Sequence, residues 1–288
     1  MSVALRGADV AVAAQLACLL EAAAPKPGNV SPEARFRDVG YEHFLASAAA
    51  IGPAFAAAGE RPLGATIRAA VEATARWAPS NTNLGLVLLL APLARAALAA
   101  AGGTLRERVA AVLAATTVAD AADAYAAIRL ARPGGLGRVA DQDVTAPPTV
   151  SLRDAMALAR ERDAVAREYA TDFQTTFELG VPALRRARAD GLAWPDAIVE
   201  TYLALLAAAP DTHIARRAGP AAAAHVTERA RAVVAAGGVR TAAGREAIAA
   251  FDRELRDERN AKNPGATADL AGASLFAVLL EGGWHDRP

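Results

Sequence analysis

The stretch NPGATADLAGASLFAVLLEGG, Asn263 to Gly283, sets a turn and then runs straight into an apolar segment. Pro264 and Gly265 supply the turn, and Ala266 to Phe276 read as the helix that follows. A second stretch, NTNLGLVLLLAPLARAALAAA from Asn81, has the same form. Thr104-Leu-Arg-Glu107, Thr117-Val-Ala-Asp120 and Ser151-Leu-Arg-Asp154 each match a capping box ahead of a periodic segment. AAIGPAFAAAGERPLG and AAAGG (Ala99 to Gly103) end helices on glycine. Aromatics make up only 5% of the chain, and alternating β-branched runs are nearly absent. The expected fold is therefore all-α, a single compact multi-helix domain over residues 1–288.

Composition narrows the function classes. The formal net charge is zero, so there is no basic surplus to meet a phosphate backbone, and nucleic-acid binding is not expected. Cys18 is the one cysteine and reads as a small core residue. The N-terminal stretch carries Asp9 and Gln15 inside its apolar residues and reads as a helix, not a signal peptide. The longest apolar run, Leu84 to Leu93, is too short for a bilayer and contains the helix breaker Pro92. A cytoplasmic protein with no membrane partner is the expectation. The irregular stretch from Ala131 to Val150 holds three glycines and three prolines. It reads as a functional loop or lid in preference to an interdomain linker.

The chain has 31 lysines and arginines, yet only Lys26 and Lys262 are lysines, and it has five asparagines. Every one falls in PKPGNVSP, PSNTNLG or RNAKNPGATAD. Where composition drifts toward arginine, surviving lysine and asparagine mark positions at which a substitute failed. Each stretch leads into a helix, whose first turn carries unpaired N–H groups and partial positive charge. Glycine for close approach and lysine for charge complete an anion site. Three of them point to a ligand with several phosphates, and no Walker or dinucleotide fingerprint is present. A fourth polar island, APDTHIARRAGPAA, places His213 and Arg216 or Arg217 on one helical face. After the first loop, FRDVGYEHF offers Asp38 as a metal or ribose ligand. DAAD (Asp120 to Asp123) and DRELRDERN (Asp252 to Asn260) read as solvated helix faces, and His225 and His285 as incidental.

Together PKPGNV…RD, SNTNLG, DTHIARRAG and NPGATADLAGASLF resemble the triphosphoribosyl-dephospho-coenzyme A synthase family, in the family's order from Pro25 to Phe276. The citrate lyase branch typically reads NTHKG in the middle motif; here Asn83 and Leu84 stand in the His-Lys positions, which implies a divergent branch. The resemblance implies an all-α enzyme that uses ATP as a ribosyl donor. The 2′-hydroxyl of dephospho-CoA, or of a related acceptor, attacks C1 of the ATP ribose and adenine leaves. The implied partners are these two small molecules, with a homodimer allowed. The implied site takes Asp269 as metal ligand or electrostatic stabiliser, Asp38 and Asp211 as further carboxylates, with Asp38 also a metal ligand, and His213 as general acid or base. Lys26, Lys262, Arg216 and Arg217 would hold the triphosphate with Mg²⁺. Asn81, Asn83 and Asn263 would fix ribose and backbone, and Gly28, Asn29, Thr82 and Gly265 complete the nucleotide-binding set. A phosphotransferase or ribosyl hydrolase on the same fold, serving one-carbon cofactor biosynthesis, is the alternative. A non-catalytic helical scaffold is a third reading, and it predicts no response to ATP.

Overall fold

The chain is helical in every ordered layer, and no strand occurs among the described residues; an isolated bridge between Ser31 and Ala34 is the nearest approach. The computed structural model describes residues 5–100, 102–257 and 259–284, so His285 lies outside it. In chain order the α-helices are α1 (Gly7–Ala23), α2 (Tyr41–Ala50), α3 (Gly52–Ala56), α4 (Leu63–Thr74), α5 (Leu84–Ala97), α6 (Leu105–Ala114), α7 (Val118–Ala131) and α8 (Leu152–Ala157). There follow α9 (Ala164–Ala170), a π-helical turn (Thr176–Gly180), α10 (Val181–Ala189), α11 (Trp194–Ala208), α12 (Thr212–Ala218), α13 (Pro220–Ala235), a 3-10 turn (Gly238–Arg240), α14 (Ala242–Leu255) and α15 (Gly265–Leu280).

The stretch that decides the fold becomes α15, which runs four residues past Phe276 and is buried on nearly every side. A helix apolar all round has to be central, and α15 packs on α1, α5, α10 and α11. Its Phe276 meets Phe55 of α3 edge-on, with ring centres 6.4 Å apart. The buried apolar side chains form one continuous core. Among the described residues no single helix is long and apolar enough to cross a membrane.

Two sequence expectations change here. Pro92 does not break the apolar run, because α5 passes through it. A proline at 92 leaves the carbonyl four residues back without its donor. The hydroxyl of fully buried Tyr169 donates to that Leu88 carbonyl at 2.7 Å and satisfies it. The DAAD segment is only half solvated. Asp120 is buried, closes the Thr117 capping box and also accepts the Gly64 N–H at 2.8 Å, while Asp123 pairs with Arg68. The Thr104–Glu107 box forms as read, and the Ser151 hydroxyl accepts the Asp154 N–H.

Candidate active site

Three helices begin around one cleft: α5 at Leu84, α12 at Thr212 and α15 at Gly265. Asn81 caps α5, its side-chain oxygen accepting the Leu84 N–H at 2.9 Å. Asp211 caps two helices at once. One oxygen accepts the Ile214 N–H of α12 at 2.9 Å; the other accepts the Thr267 N–H and hydroxyl of α15 at 2.7 and 2.8 Å. This shared cap fixes the angle between the two segments that carry His213 and Asp269.

The cleft has two chambers with a common septum of Asn81, Leu84, Gly85, His213 and Asp269. The first is polar. All five asparagines of the chain line it, with Thr82, Asp38, Glu21, Arg217 and Arg259. Asn263 is buried there with its side-chain oxygen unpartnered. The second chamber is walled by Leu88, Tyr125, Ile128, Met156 and the 133–144 segment, with Asp163 and Arg216 at its polar end. The irregular stretch is thus neither linker nor separate unit but a cavity wall. Asp143 braces it by accepting from the Val139 N–H, the Thr145 N–H and the Thr145 hydroxyl at 2.8, 2.9 and 2.6 Å.

The two septum side chains are electrostatically unusual. Asp269 has no hydrogen bond or ion pair among the described residues. Burial, then the charges of Glu21, Asp211 and Asp163, push its carboxyl well above the usual range, against Arg216. This corrects the expectation that the helix start would hold Asp269 ionised: desolvation and three acidic neighbours outweigh the dipole. His213 moves the other way, down to about 4, because of burial and then Arg216 and Arg217. It is therefore neutral at physiological pH, the form that can accept a proton. Each group occupies space left by a glycine. A Cβ on Gly85 would lie 2.0 Å from the Asp269 Oδ2, and one on Gly265 would lie 2.2 Å from the His213 Nδ1. Gly265, which also lines the polar chamber, thus makes room for the histidine.

Several expected ligands are committed elsewhere. Lys26 is fully buried, and its ammonium donates to the Glu21 carboxylate at 3.0 Å, the Glu21 carbonyl and the Ala24 carbonyl at 3.2 Å. Three donors meet three acceptors, so it caps the end of α1 and has nothing left for a triphosphate. Gly28 adopts a positive φ of 75° with its N–H on Asp252 at 2.8 Å, and a Cβ would strike Leu255; it serves the turn. Lys262 lines neither chamber. Asp211 is saturated as a cap and has no free oxygen for catalysis. Arg216 faces the second chamber, paired with Asp163 at 2.5 Å and with a buried, unpartnered Nε. Arg217 faces the polar chamber and donates to the Arg259 carbonyl at 2.6 Å. Asn83 is buried and donates to the Thr74 hydroxyl, and the Thr82 hydroxyl bonds Ser47. DRELRDERN is not wholly solvated either: Arg256 pairs twice with Asp252 and donates to the Asn29 carbonyl at 3.0 Å. His225 pairs with Glu254 on the surface, as an incidental residue should.

Glu21 and Asp163 line the cleft and were not singled out by the sequence reading, whereas Arg259 and Asn260 lie in the RNAKNPGATAD stretch without a role assigned there. Of the two that were passed over, only Asp163, at the cap of α9, left any signal. For a metal, no cluster of three or more His, Cys, Asp and Glu occurs among the described residues. Asp38 and Asp269 line the polar chamber with uncommitted carboxylates, however. Two hard oxygen ligands fit Mg²⁺ carried on phosphates, and do not make an all-protein cage.

The family model described as ATP:dephospho-CoA triphosphoribosyl transferase matches residues 7–288. The chain belongs to this family. A Klebsiella pneumoniae relative, 2-(5''-triphosphoribosyl)-3'-dephosphocoenzyme-A synthase, is 31% identical over 92% of each chain. An Azotobacter vinelandii relative, named with the qualifier "Probable", is 33% identical over 97% of this chain and 93% of its own. With a Pseudomonas fluorescens relative of the same qualified name, identity is 35%, and the chain spans about half that relative's length, 52%. The crystal structure of an Archaeoglobus fulgidus protein, provisionally named a triphosphoribosyl-dephospho-CoA synthase, superposes with a TM-score of 0.65 at 28% identity. The match covers 83% of this chain and 99% of that one. Membership in this transferase family agrees with the resemblance carried by the four motifs.

Proposed function

We propose that this enzyme joins C1 of the ATP ribose to the 2′-hydroxyl of dephospho-CoA, or of a closely related acceptor, and releases adenine. The observation that carries the reading is the double-chambered cleft of a family member, with Asp269 and His213 on the septum between the chambers. A reaction between two large substrates needs two pockets that meet where the bond forms.

In the reaction the bond from C1 to the adenine nitrogen breaks, a bond from C1 to the acceptor oxygen forms, and the triphosphate stays on the product. The hydroxyl proton goes to neutral His213, whose ring is held unprotonated by burial and two arginines. Adenine departs with the bonding electrons and takes up a proton, so that release of the proton from His213 balances the step. Positive charge develops at C1 as adenine departs. Asp269 answers that charge: its carboxylate is disfavoured in the empty cleft and favoured once a cation or a developing positive charge enters. Asp38 and Asp269 would hold Mg²⁺, which neutralises the phosphates when bound. Leu84, at the position where the citrate lyase branch has lysine, puts an apolar side chain on the septum, and this supports a narrower or different acceptor.

The test is incubation of the pure chain with Mg-ATP and dephospho-CoA, followed by chromatography for free adenine. Adenine formed only when both substrates are present is the expected result. Formation of ADP or AMP instead points to phosphoryl or adenylyl transfer and ends this reading.

A further inference from the structure

Beside the polar chamber runs an open groove lined by Arg35, Arg37, Arg256, Asp257 and Asn260. Two segments build both features. In the irregular segment after Ala34, which bends at Arg37 and Asp38, Arg35 and Arg37 line the groove while Phe36 and Asp38 line the chamber. On the facing side Asn260 belongs to both. The groove therefore continues the chamber over its lip.

Its charge is uncommitted. Arg35 and Arg37 are exposed, and neither makes an ion pair among the described residues. Arg256 is held by two contacts to Asp252 and by the Asn29 carbonyl, so it forms a fixed wall. Asp257, the one carboxylate in the lining, is turned into its own loop, accepting the Arg259 and Ala261 N–H groups at 2.8 and 3.1 Å. Two unpaired guanidiniums facing a wall fixed by Arg256 favour a phosphate chain, which they grip with paired donors.

We propose that this groove is the subsite for the outer phosphates of the triphosphate donor, a role that rests on the ribosyl-transfer reading above. The triphosphate is the most highly charged part of either substrate. The chamber that opens into the groove also holds the asparagines and the uncommitted Asp38 and Asp269, whereas the second chamber offers apolar and glycine walls suited to a base or a pantetheine arm.

The experiment uses the full chain, the double variant Arg35→Ala/Arg37→Ala, and Arg160→Ala as a surface control. Calorimetry with sodium tripolyphosphate gives binding without turnover, and steady-state kinetics give KM for ATP and for dephospho-CoA separately. The double variant should bind tripolyphosphate about tenfold more weakly and show a similar rise in KM for ATP, the scale of losing charge-assisted contacts. The KM for dephospho-CoA and all values for Arg160→Ala should stay unchanged. An unchanged KM for ATP, or a rise confined to dephospho-CoA, overturns the assignment. If the wild type releases no adenine but loses tripolyphosphate binding on substitution, the groove stands and the ribosyl-transfer reading falls. If both proteins release adenine and bind tripolyphosphate equally, the reverse holds.

Discussion

The asparagines behaved as markers and the lysines did not. All five asparagines, spread from position 29 to 263, face one chamber. An asparagine there offers a neutral donor and acceptor beside charged groups, which neither arginine nor aspartate can replace. Lysine survives at 26 for a different reason. A compact ammonium with three donors fits the fully enclosed end of α1, where a planar guanidinium would not. On the proposed reading, phosphate-facing charge falls to arginines, the common residue. Asp269 and His213 carry the sharpest residue-scale predictions. Asp269→Asn should lower adenine release by on the order of a hundredfold, the scale of one placed electrostatic group. Its stability should not fall. A carboxyl whose folded pKa is raised is favourable while protonated, and that advantage is lost as pH rises through the folded value. The variant's melting temperature should therefore overtake the wild type's with increasing pH; a variant less stable at neutral pH would show Asp269 to be a structural cap. For His213 the sign is opposite. Its folded value of about 4 lies below the ordinary 6.5, so the folded state resists protonation. Melting temperature should drop more steeply for the wild type than for His213→Gln as pH falls from 6.5 toward 4, and parallel curves would refute a buried neutral ring.

At the scale of elements, caps and turns were legible and the contacts between helices were not. The capping boxes at Thr104 and Thr117 form where their four-residue patterns stand, because a cap is satisfied within its own turn. Pro92 misled because its consequence depends on Tyr169, which approaches from another helix. Asp211 likewise caps α12 locally, but its second oxygen reaches the start of α15, 56 positions on. Glycines show the same split between local and distant causes. Gly85 sits in the first turn of α5, and the nearest obstacle to a Cβ there is the movable end of Asp269. Gly64 meets the backbone of Asp120, which cannot step aside. Gly85→Ala should keep or slightly raise the melting temperature, since alanine favours helix, yet displace the carboxylate and sharply reduce adenine release. Gly64→Ala should do the reverse, losing stability while the remaining folded enzyme turns over normally. Thermal melts and adenine assays on both variants check the pair; full activity in Gly85→Ala would separate Asp269 from the chemistry.

For the whole molecule, the all-helical class, the positions of most helix starts and the family motifs were set by the sequence alone. Each depends on residues within a few positions of one another: alanine content, periodicity, a cap and its partner. The convergence of PKPGN, NTNLG, DTHIARR and NPGATAD was anticipated from shared composition. How they converge was decided in three dimensions, where Arg256 reaches back to the Asn29 carbonyl across 227 positions. Burial divided the polar residues into those spent on structure, Lys26 and Asp211 among them, and those left facing the cleft. The same burial set the charge of the two septum groups, since desolvation and the distance to Glu21, Asp163, Arg216 and Arg217 exist only once the chain is folded. A local pattern can place a carboxylate at a helix start, but its ionisation is a property of everything packed around it.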